Sequence, residues 1–241
     1  MKMIYTKTKG LQDTELHYCP GCSHGIVHKL IGEVMEELNI IDDTIAVCPV
    51  GCSVFRKLFA CDTVELLMPV RHRGDRNQNP PDQPVFTYQV METGIYRSSK
   101  ILCAMRGEKF TTIFINNGIY GMTGGQMAPT TLIGQRATTA PQGRCKELHG
   151  EPMRVSEMLA TLGGLVYAER VCVTDVPNIN KAKKALKKAF TKQLNNEGFT
   201  FVEVLCACPT NWGMTTLAAN EWVKTNMAEY YPLGVIKEVT A

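Results

Sequence analysis

The stretch that decides the fold reads Phe110-Thr111-Thr112-Ile113-Phe114-Ile115 and continues as Asn116-Asn117-Gly118-Ile119-Tyr120-Gly121-Met122-Thr123-Gly124-Gly125-Gln126. The first half is apolar and β-branched, which is typical of a strand buried on both faces of a parallel sheet. The second half therefore lies at the carboxyl end of a strand, where open α/β sheets bind their ligands. Asparagine oxygens can bind a hard cation, and glycines let backbone amides approach an anion. The pattern indicates either a metal–diphosphate site or an ordinary glycine-rich turn.

The same loop, which runs on to Pro129-Thr130-Thr131, resembles the thiamine diphosphate (TPP) loop of one protein family. That family is the β subunit of the 2-oxoacid:ferredoxin oxidoreductases, including the branched-chain 2-oxoacid and 2-oxoglutarate members. The resemblance covers nearly the whole chain. It implies that Asn117 and the carbonyl of Ile119 bind Mg2+, and that residues 123–126 lie near the diphosphate and the substrate.

Composition and charge limit the other possibilities. At 241 residues with 44% hydrophobic content, the chain can form a large α/β core, and we predict a single domain over residues 1–241. A net charge of +3 is too slight to indicate nucleic-acid binding. No apolar run approaches the ~18 residues of a membrane span. Residues 1–10 are polar and lysine-bearing, unlike a signal sequence, so we expect a cytoplasmic protein that does not contact a membrane.

Helix and strand patterns alternate along the chain, which predicts an α/β fold with a doubly wound, mostly parallel sheet. The predicted strands are 44–48, 84–89, 110–115, 164–171 and 199–205, and the predicted helices are 26–38, 155–162 and 178–195. With the resemblance, this is a TPP-binding domain. Its predicted cofactor-binding residues are Gly51, Cys52, Ser53, Asn117, Ile119, Gly121, Thr123, Gly124 and Gln126.

Ten cysteines in a cytoplasmic protein are not expected to form a disulfide framework. A Cys-x-x-Cys begins the first predicted helix, and three more cysteines follow two of the predicted strands. These five are Cys19, Cys22, Cys52, Cys206 and Cys208. Because strand ends and helix starts can converge on one edge of a sheet, three or four of these thiolates suit an iron–sulfur cluster or a tetrahedral zinc site.

The family resemblance favours the cluster. It implies a [4Fe–4S] cluster bound by Cys19, Cys22, Cys52 and Cys208, with Cys206, one residue out of phase, as the alternative fourth ligand. The remaining cysteines are expected to be buried and to act as small apolar side chains. They are Cys48, Cys61, Cys103, Cys145 and Cys172.

The family pattern is disrupted at about residues 66–99. The family has a His-Gly-Arg-Ala-Pro stretch there, then a helix with Ala-Thr-Gly-Ile-Lys, and after a strand a Gly-Asp-Gly whose aspartate binds Mg2+. This chain keeps the strand and then reads Val90-Met91-Glu92-Thr93, so Met91 stands where the aspartate is expected. A thioether is a poor ligand for Mg2+.

Frame errors in the coding sequence account for this disruption. Val90-Met91-Glu92-Thr93 can be encoded GTG ATG GAG ACT. If a G precedes these codons and the reading frame begins one base earlier, at that G, the bases encode Gly-Asp-Gly-Asp. One-base shifts likewise turn residues 74–78 into the start of Ala-Thr-Gly-Ile-Lys, and residues 66–72 into Ala-Pro-His-Ala-Arg-Ala-Pro, which differs from the family pattern at one residue. Three restorations at the expected places indicate a frame-shifted segment. The alternative is a non-catalytic structural homologue that has lost the Gly-Asp-Gly motif.

The resemblance implies the oxidative decarboxylation of a 2-oxoacid, either branched-chain or 2-oxoglutarate, to an acyl-CoA, with electrons passed to ferredoxin. Its cofactors are TPP, Mg2+ and the [4Fe–4S] cluster, and its partners are the alpha and gamma subunits of the same oxidoreductase. The glutamate that activates the cofactor belongs to a partner subunit, so no catalytic residue is assigned here. Six lysines on the helix 178–195 form either a solvated face or a docking patch for an acidic electron carrier.

Overall fold

A computed structural model of the chain describes residues 6–49, 51–52, 59–66, 85–90 and 99–239. In this part of the chain, seven strands form one sheet and two short strands form a separate ribbon. The sheet strands are β1 (Ile45–Pro49), β2 (Asp62–Leu66), β3 (Val85–Val90), β4 (Thr111–Asn116), β7 (Leu165–Cys172), β8 (Phe199–Leu205) and β9 (Gly234–Glu238), and the ribbon strands are β5 (Ile119–Tyr120) and β6 (Gln126–Met127).

The helices of the described residues lie between these strands. They are α1 (His24–Glu37), α2 (Ser99–Arg106), α3 (Lys146–His149), α4 (Val155–Ala160), α5 (Val176–Leu194), α6 (Pro209–Trp212), α7 (Thr216–Trp222) and α8 (Ala228–Tyr230), with a π-helical turn at Val223–Met227. Within the described ranges, no helix combines the length and apolar character that a membrane span requires.

The strand order across the sheet is β2-β1-β3-β4-β8-β7-β9. Neighbouring strands are parallel except at β9, which is antiparallel to β7. This confirms the predicted doubly wound, mostly parallel sheet. The predicted strands and helices agree with the observed ones to within about two residues at most ends, the usual uncertainty of a helix or strand boundary.

Strand β4 is the central strand of the seven-stranded sheet, and all of its residues are buried. Successive side chains of a strand point to opposite faces, and β4 contributes to both cores. Ile113 and Ile115 pack in the cluster that contains residues of α1 and α5, whereas Phe114 packs in the cluster that contains residues of α2 and α4. The strand that leads into the Asn116 loop is therefore fixed from both sides.

The lysine-rich helix α5 is tied to the rest of this chain. Lys183 forms ion pairs with Glu33 at 2.6 Å and with Glu37 at 2.8 Å, both on α1. Three more α5 lysines also bind carboxylates of this chain: Lys187 pairs with Glu37, Lys188 with Glu238 and Lys192 with Glu197. These intramolecular pairs favour the solvated-face interpretation over a docking patch.

Replacing Ile113 with alanine tests how strongly the fold depends on β4. Ile113 is completely buried, so the substitution leaves a cavity, and we expect the free energy of unfolding to fall by about 2–5 kcal/mol. Urea denaturation followed by circular dichroism measures the loss. The matched control is Leu217→Ala at a side chain that is 83% exposed, and this variant should unfold like the wild type. Equal losses in the two variants would show that β4 is not the packed centre.

Candidate functional site

The site lies where neighbouring parallel strands end. Strand β1 leads to Cys52, β4 leads to Asn117, and β8 leads to Cys208. Strand β3 lies between β1 and β4 and ends at Val90, which pairs with Ile115 of β4. Because these strands are parallel and adjacent, their carboxyl ends meet at one edge of the sheet, as predicted.

One cavity of about 320 Å³ brings the predicted cluster ligands together with part of the TPP-like loop, whereas the predicted loop residues Ile119, Thr123, Gly124 and Gln126 do not line it. Its lining includes all four predicted cluster ligands together with Asn117 and Gly121 of the TPP-like loop. The four cysteines are Cys19, Cys22, Cys52 and Cys208. The cysteines come from three separate parts of the sequence, so only the fold brings them together.

Gly121 is the point at which the loop approaches the cysteines. A Cβ atom added to it would lie 3.7 Å from Cys208 Sγ, 3.9 Å from Cys52 Sγ and 3.2 Å from Asn211 Nδ2. The Asn211 amide joins the same parts by donating to the Gly121 carbonyl at 3.3 Å and to Cys208 Sγ at 3.4 Å. This position leaves little room for a side chain, since an added Cβ atom would be in tight contact with the Asn211 amide and in ordinary contact with the two sulfurs.

Cys206 lies away from this cavity. Its side chain is completely buried, and burial raises the pKa of its thiol well above the ordinary value. The neighbouring Ser23 hydroxyl accepts a hydrogen bond from the Ala207 amide at 2.9 Å, which fixes the backbone between the two cysteines. Of the two alternatives for the fourth ligand, the geometry favours Cys208.

The remaining cysteines agree only partly with the expectation that they are buried. Cys48, Cys61 and Cys172 are buried. Cys103 is only partly buried but packs against the cluster that contains Phe114, whereas Cys145 is exposed, so the prediction was wrong for Cys145. Cys145 directly precedes the four-residue helix α3, and its thiol donates to Glu147 Oε2 at 2.8 Å. The sequence suggested apolar surroundings for the Cys145 thiol, but the thiol lies at the surface and has a polar partner.

Burial and neighbouring charge control the protonation of Cys22. Burial raises the pKa of its thiol to about 12, and the Cys208 and Cys19 thiols add to this, against a hydrogen bond from the His24 backbone. The His24 ring lies with Nδ1 3.0 Å from Cys22 Sγ, and burial lowers its pKa to about 3, which keeps the ring neutral. A thiolate at Cys22 therefore needs a bound cation, as cysteine ligands of metals do.

The TPP-like loop is shaped by its own hydrogen bonds. Asn117 is 1% exposed, and its Oδ1 accepts from the Ile119 amide at 3.2 Å. Thr123 Oγ1 donates to Gln126 Oε1 at 2.8 Å, and Gln126 Nε2 donates back to the Thr123 carbonyl at 2.7 Å. Gly124 between them has a φ of +119°, a conformation that side-chain-bearing residues rarely adopt. The loop is therefore ordered by the chain itself.

Parts of the predicted site lie outside the described residues. These are Ser53, Met91 and most of the segment at 66–99. Gly51 is described, and its φ of +133° requires glycine at the end of β1. Within the ranges that the structure describes, no three His, Cys, Asp or Glu side chains are placed to hold a single metal ion.

Sequence reasoning missed a buried polar layer beneath the loop. Asn116 Nδ2 donates to Glu203 Oε1 at 2.8 Å, and Arg170 Nε donates to Glu203 Oε2 at 2.9 Å. Ser156 Oγ also donates to Glu203. The one available signal was Glu203 itself, a carboxylate inside the apolar run Phe199-Thr200-Phe201-Val202-Glu203-Val204-Leu205. Buried carboxylates are rare unless they are paired.

Comparisons with known proteins identify the family of this chain. The family model described as "Thiamine pyrophosphate enzyme, C-terminal TPP binding domain" matches residues 98–204. The 2-oxoglutarate synthase subunit KorB of Methanocaldococcus jannaschii is 34% identical over 81% of this chain and 70% of its own length. The chain belongs to the TPP-binding subunits of the 2-oxoacid:ferredoxin oxidoreductases.

Within this family, the ketoisovalerate oxidoreductase subunit VorA of Methanothermobacter marburgensis is 40% identical over 95% of this chain. The match covers 49% of VorA, so this chain spans about half the length of that relative. A solved structure of the 2-oxoglutarate:ferredoxin oxidoreductase from Magnetococcus marinus, with 2-oxoglutarate, coenzyme A and succinyl-CoA bound, has a TM-score of 0.74 over all of this chain and 87% of that one. Its sequence identity is 22%, so this match supports the fold alone.

Proposed function

We propose that this chain is the TPP-binding subunit of an enzyme that oxidatively decarboxylates a 2-oxoacid to an acyl-CoA and passes the electrons to ferredoxin. The observation that carries the proposal is the single cavity lined both by the TPP-like loop and by four cysteines. A loop for the cofactor and a set of thiols for an electron carrier are the two parts that such a reaction needs side by side.

The TPP-like loop supplies the cofactor site. When bound, TPP provides a nucleophilic carbon and an electron sink for decarboxylation. Asn117 and the Ile119 carbonyl would hold Mg2+, which would neutralise charge on the diphosphate. The chain's contribution is to fix the loop through the Thr123–Gln126 hydrogen bonds and to leave space beside Cys52 and Cys208 at Gly121. The glutamate that activates the cofactor comes from a partner subunit.

The cysteines supply the electron exit through a [4Fe–4S] cluster. Its proposed ligands are Cys19, Cys22, Cys52 and Cys208. Each cysteine of such a cluster binds a different iron, so its ligands stand farther apart than the ligands of one ion. This accords with four cysteines around one cavity that, among the described residues, offer no compact single-ion site. A cluster bound by these cysteines would supply a one-electron acceptor, and Cys52 and Cys208 would hold it next to Gly121 of the loop.

The proposed substrate is a branched-chain 2-oxoacid, with 2-oxoglutarate as the alternative. Support comes from the stretch Met127-Ala128-Pro129-Thr130-Thr131, which looks closer to the branched-chain and 2-oxoglutarate members than to the pyruvate members. The relatives named for ketoisovalerate also have the higher identity, 40% against 34% for the 2-oxoglutarate one. The enzyme works with alpha and gamma subunits, coenzyme A and ferredoxin in the cytoplasm.

The substrate assignment is tested on the assembled complex with coenzyme A and an electron acceptor. We expect kcat/KM for 2-oxoisovalerate to exceed that for pyruvate by about tenfold or more, which is within what one or two apolar side-chain contacts provide. A matched assay with 2-oxoglutarate decides between the two proposed substrate classes. A clear preference for pyruvate would contradict the assignment.

The cluster is tested by iron and sulfide analysis after anaerobic reconstitution. The wild type should contain about four of each per chain, and Cys208→Ala should lose most of both because a ligand facing the cavity is removed. Cys206→Ala is the matched control, since Cys206 is buried outside the cavity, and it should keep its iron. Zinc in place of iron, or loss of the cluster in Cys206→Ala alone, would refute the ligand set.

The disrupted segment predicts weak cofactor binding. Met91 offers no carboxylate to Mg2+, and Val90 and Glu92 replace the glycines that would admit the diphosphate. Restoring Gly-Asp-Gly together with residues 66–78 should tighten the binding of TPP with Mg2+ by at least about tenfold, because losing even an indirect metal contact costs that much. Isothermal titration into the complex assembled from each version measures the difference.

The outcomes of that titration are distinct. Equal affinity in both versions would show that another group replaces the aspartate, and the proposal of a frame-shifted segment would lose its basis. No binding in either version would favour the non-catalytic structural homologue. In that case the cavity would serve the cluster without the cofactor.

A further inference from the structure

A chain of buried polar side chains connects the sheet to the TPP-like loop. It begins at Arg170 on β7, passes through Glu203 on β8 and reaches Asn116 at the end of β4. The three side chains are at most 1% exposed. Burying a charged pair costs free energy unless every polar group has a hydrogen-bond partner. Each hydrogen bond in this network therefore constrains the orientation of the next side chain.

The Asn116 side-chain amide is the last member of this network, and its nitrogen and its oxygen have different hydrogen-bond partners. Its NH2 group donates to Glu203, while its oxygen accepts from the Gly118 amide at 3.1 Å and from Thr130 Oγ1 at 2.7 Å. An ionised carboxylate can only accept hydrogen bonds. Glu203 therefore fixes which end of the Asn116 amide faces the loop, and only that orientation provides an acceptor for Gly118.

Glu203 is in turn held by more than one donor. Arg170 Nε and the Ser156 hydroxyl both donate to its second oxygen. Arg170 also forms an ion pair with Glu157 at 2.6 Å. Burial alone lowers the pKa of Arg170, but the hydrogen bonds and charges of Glu157 and Glu203 outweigh it and raise that pKa. The guanidinium thus keeps its charge beside the buried carboxylate.

We propose that Glu203 is a positioning residue, which orients the Asn116 amide and so holds the turn at residues 116–118 in the shape that directs Asn117 into the cofactor cavity. The identity of the ligand that the loop binds rests on the proposed function, whereas the effect of Glu203 on the shape of the loop does not. Glu203 touches neither the cavity nor the loop backbone directly. Its effect passes through a single hydrogen bond to Asn116.

Substituting Glu203 with glutamine breaks this arrangement in a predictable way. Glutamine has one accepting and one donating end, so it cannot accept from both Arg170 and Asn116. With its oxygen toward the charged Arg170, it turns a donor toward Asn116, whose amide must then flip. Gly118 loses its acceptor as a consequence. The matched control is Glu157→Gln, which also removes a carboxylate partner of Arg170 but contacts no loop residue in the network.

A reversed pair restores the hydrogen bond. Asn116→Asp alone places two carboxylates against each other. Asn116→Asp combined with Glu203→Gln lets the glutamine NH2 donate to one aspartate oxygen, while the other oxygen accepts again from Gly118 and Thr130. A purely structural role of Glu203 predicts no such rescue, because the double variant differs from the wild type at both buried positions.

Hydrogen–deuterium exchange on the full chain in its assembled complex reads out the loop directly. We expect Glu203→Gln to speed exchange of the peptide covering residues 116–126 by about tenfold, as the loss of a net hydrogen bond predicts. Glu157→Gln should leave that peptide within about twofold of the wild type, and the Asn116→Asp/Glu203→Gln double variant should return to it. Exchange in β7 and β8 shows whether each variant keeps its core.

The proposal is overturned if Glu203→Gln and Glu157→Gln change loop exchange equally. It is also overturned if the double variant fails to fold or exchanges no slower than Asn116→Asp. The comparison of the double variant with Asn116→Asp tests the role of Glu203 even if the single variant Glu203→Gln does not fold. Titration of the same variants with TPP and Mg2+ adds a separate result. A wild-type complex that binds no TPP would refute the proposed function, while the exchange data would still decide the role of Glu203.

Discussion

The parallel pairing of β4 with its neighbours is the constraint on which the rest of the structure depends. Parallel strands end at the same edge of a sheet, so β1, β4 and β8 bring the residues that follow them to one place. Cys52, Asn117 and Cys208 meet there although they are far apart in the sequence. The buried side chains of β4 on both faces hold this edge in position, because a one-residue shift of β4 would exchange the side chains of its two packed faces and move the loop relative to the cysteines. The site is thus a consequence of the core.

The sequence was sufficient wherever a signal is local. The apolar run of β4, the loop after it and the Cys-x-x-Cys before α1 can each be read without knowing the fold. The choice between Cys206 and Cys208 could not be made in this way, since residues two apart in an irregular segment give no pattern that tells the cavity from the core. Cys145 was misjudged because cysteine is buried in most proteins, and the nearby Glu147 that accepts from its thiol was not considered.

Interactions between distant residues were the other part that sequence reasoning could not supply. Glu203 and Arg170 lie 33 residues apart, and Lys183 and Glu33 lie 150 residues apart. Neither pair leaves a periodic pattern, and both depend on the register of strands and on the packing of α1 against α5. The first pair carries more weight for function. It places a fixed charge below the loop. Hydrogen bonds to this pair hold the polar turn in one shape, which the apolar packing of the sheet alone cannot specify.

The central claim is that one cavity joins the cofactor loop to an iron–sulfur cluster. Diffraction data from anaerobically reconstituted crystals of the complex, collected on both sides of the iron absorption edge, test it most directly. The account predicts a strong anomalous iron peak surrounded by the sulfurs of Cys19, Cys22, Cys52 and Cys208 and adjacent to Gly121. A peak at the zinc edge instead, or iron bound elsewhere in the complex with these four thiols free, would contradict it.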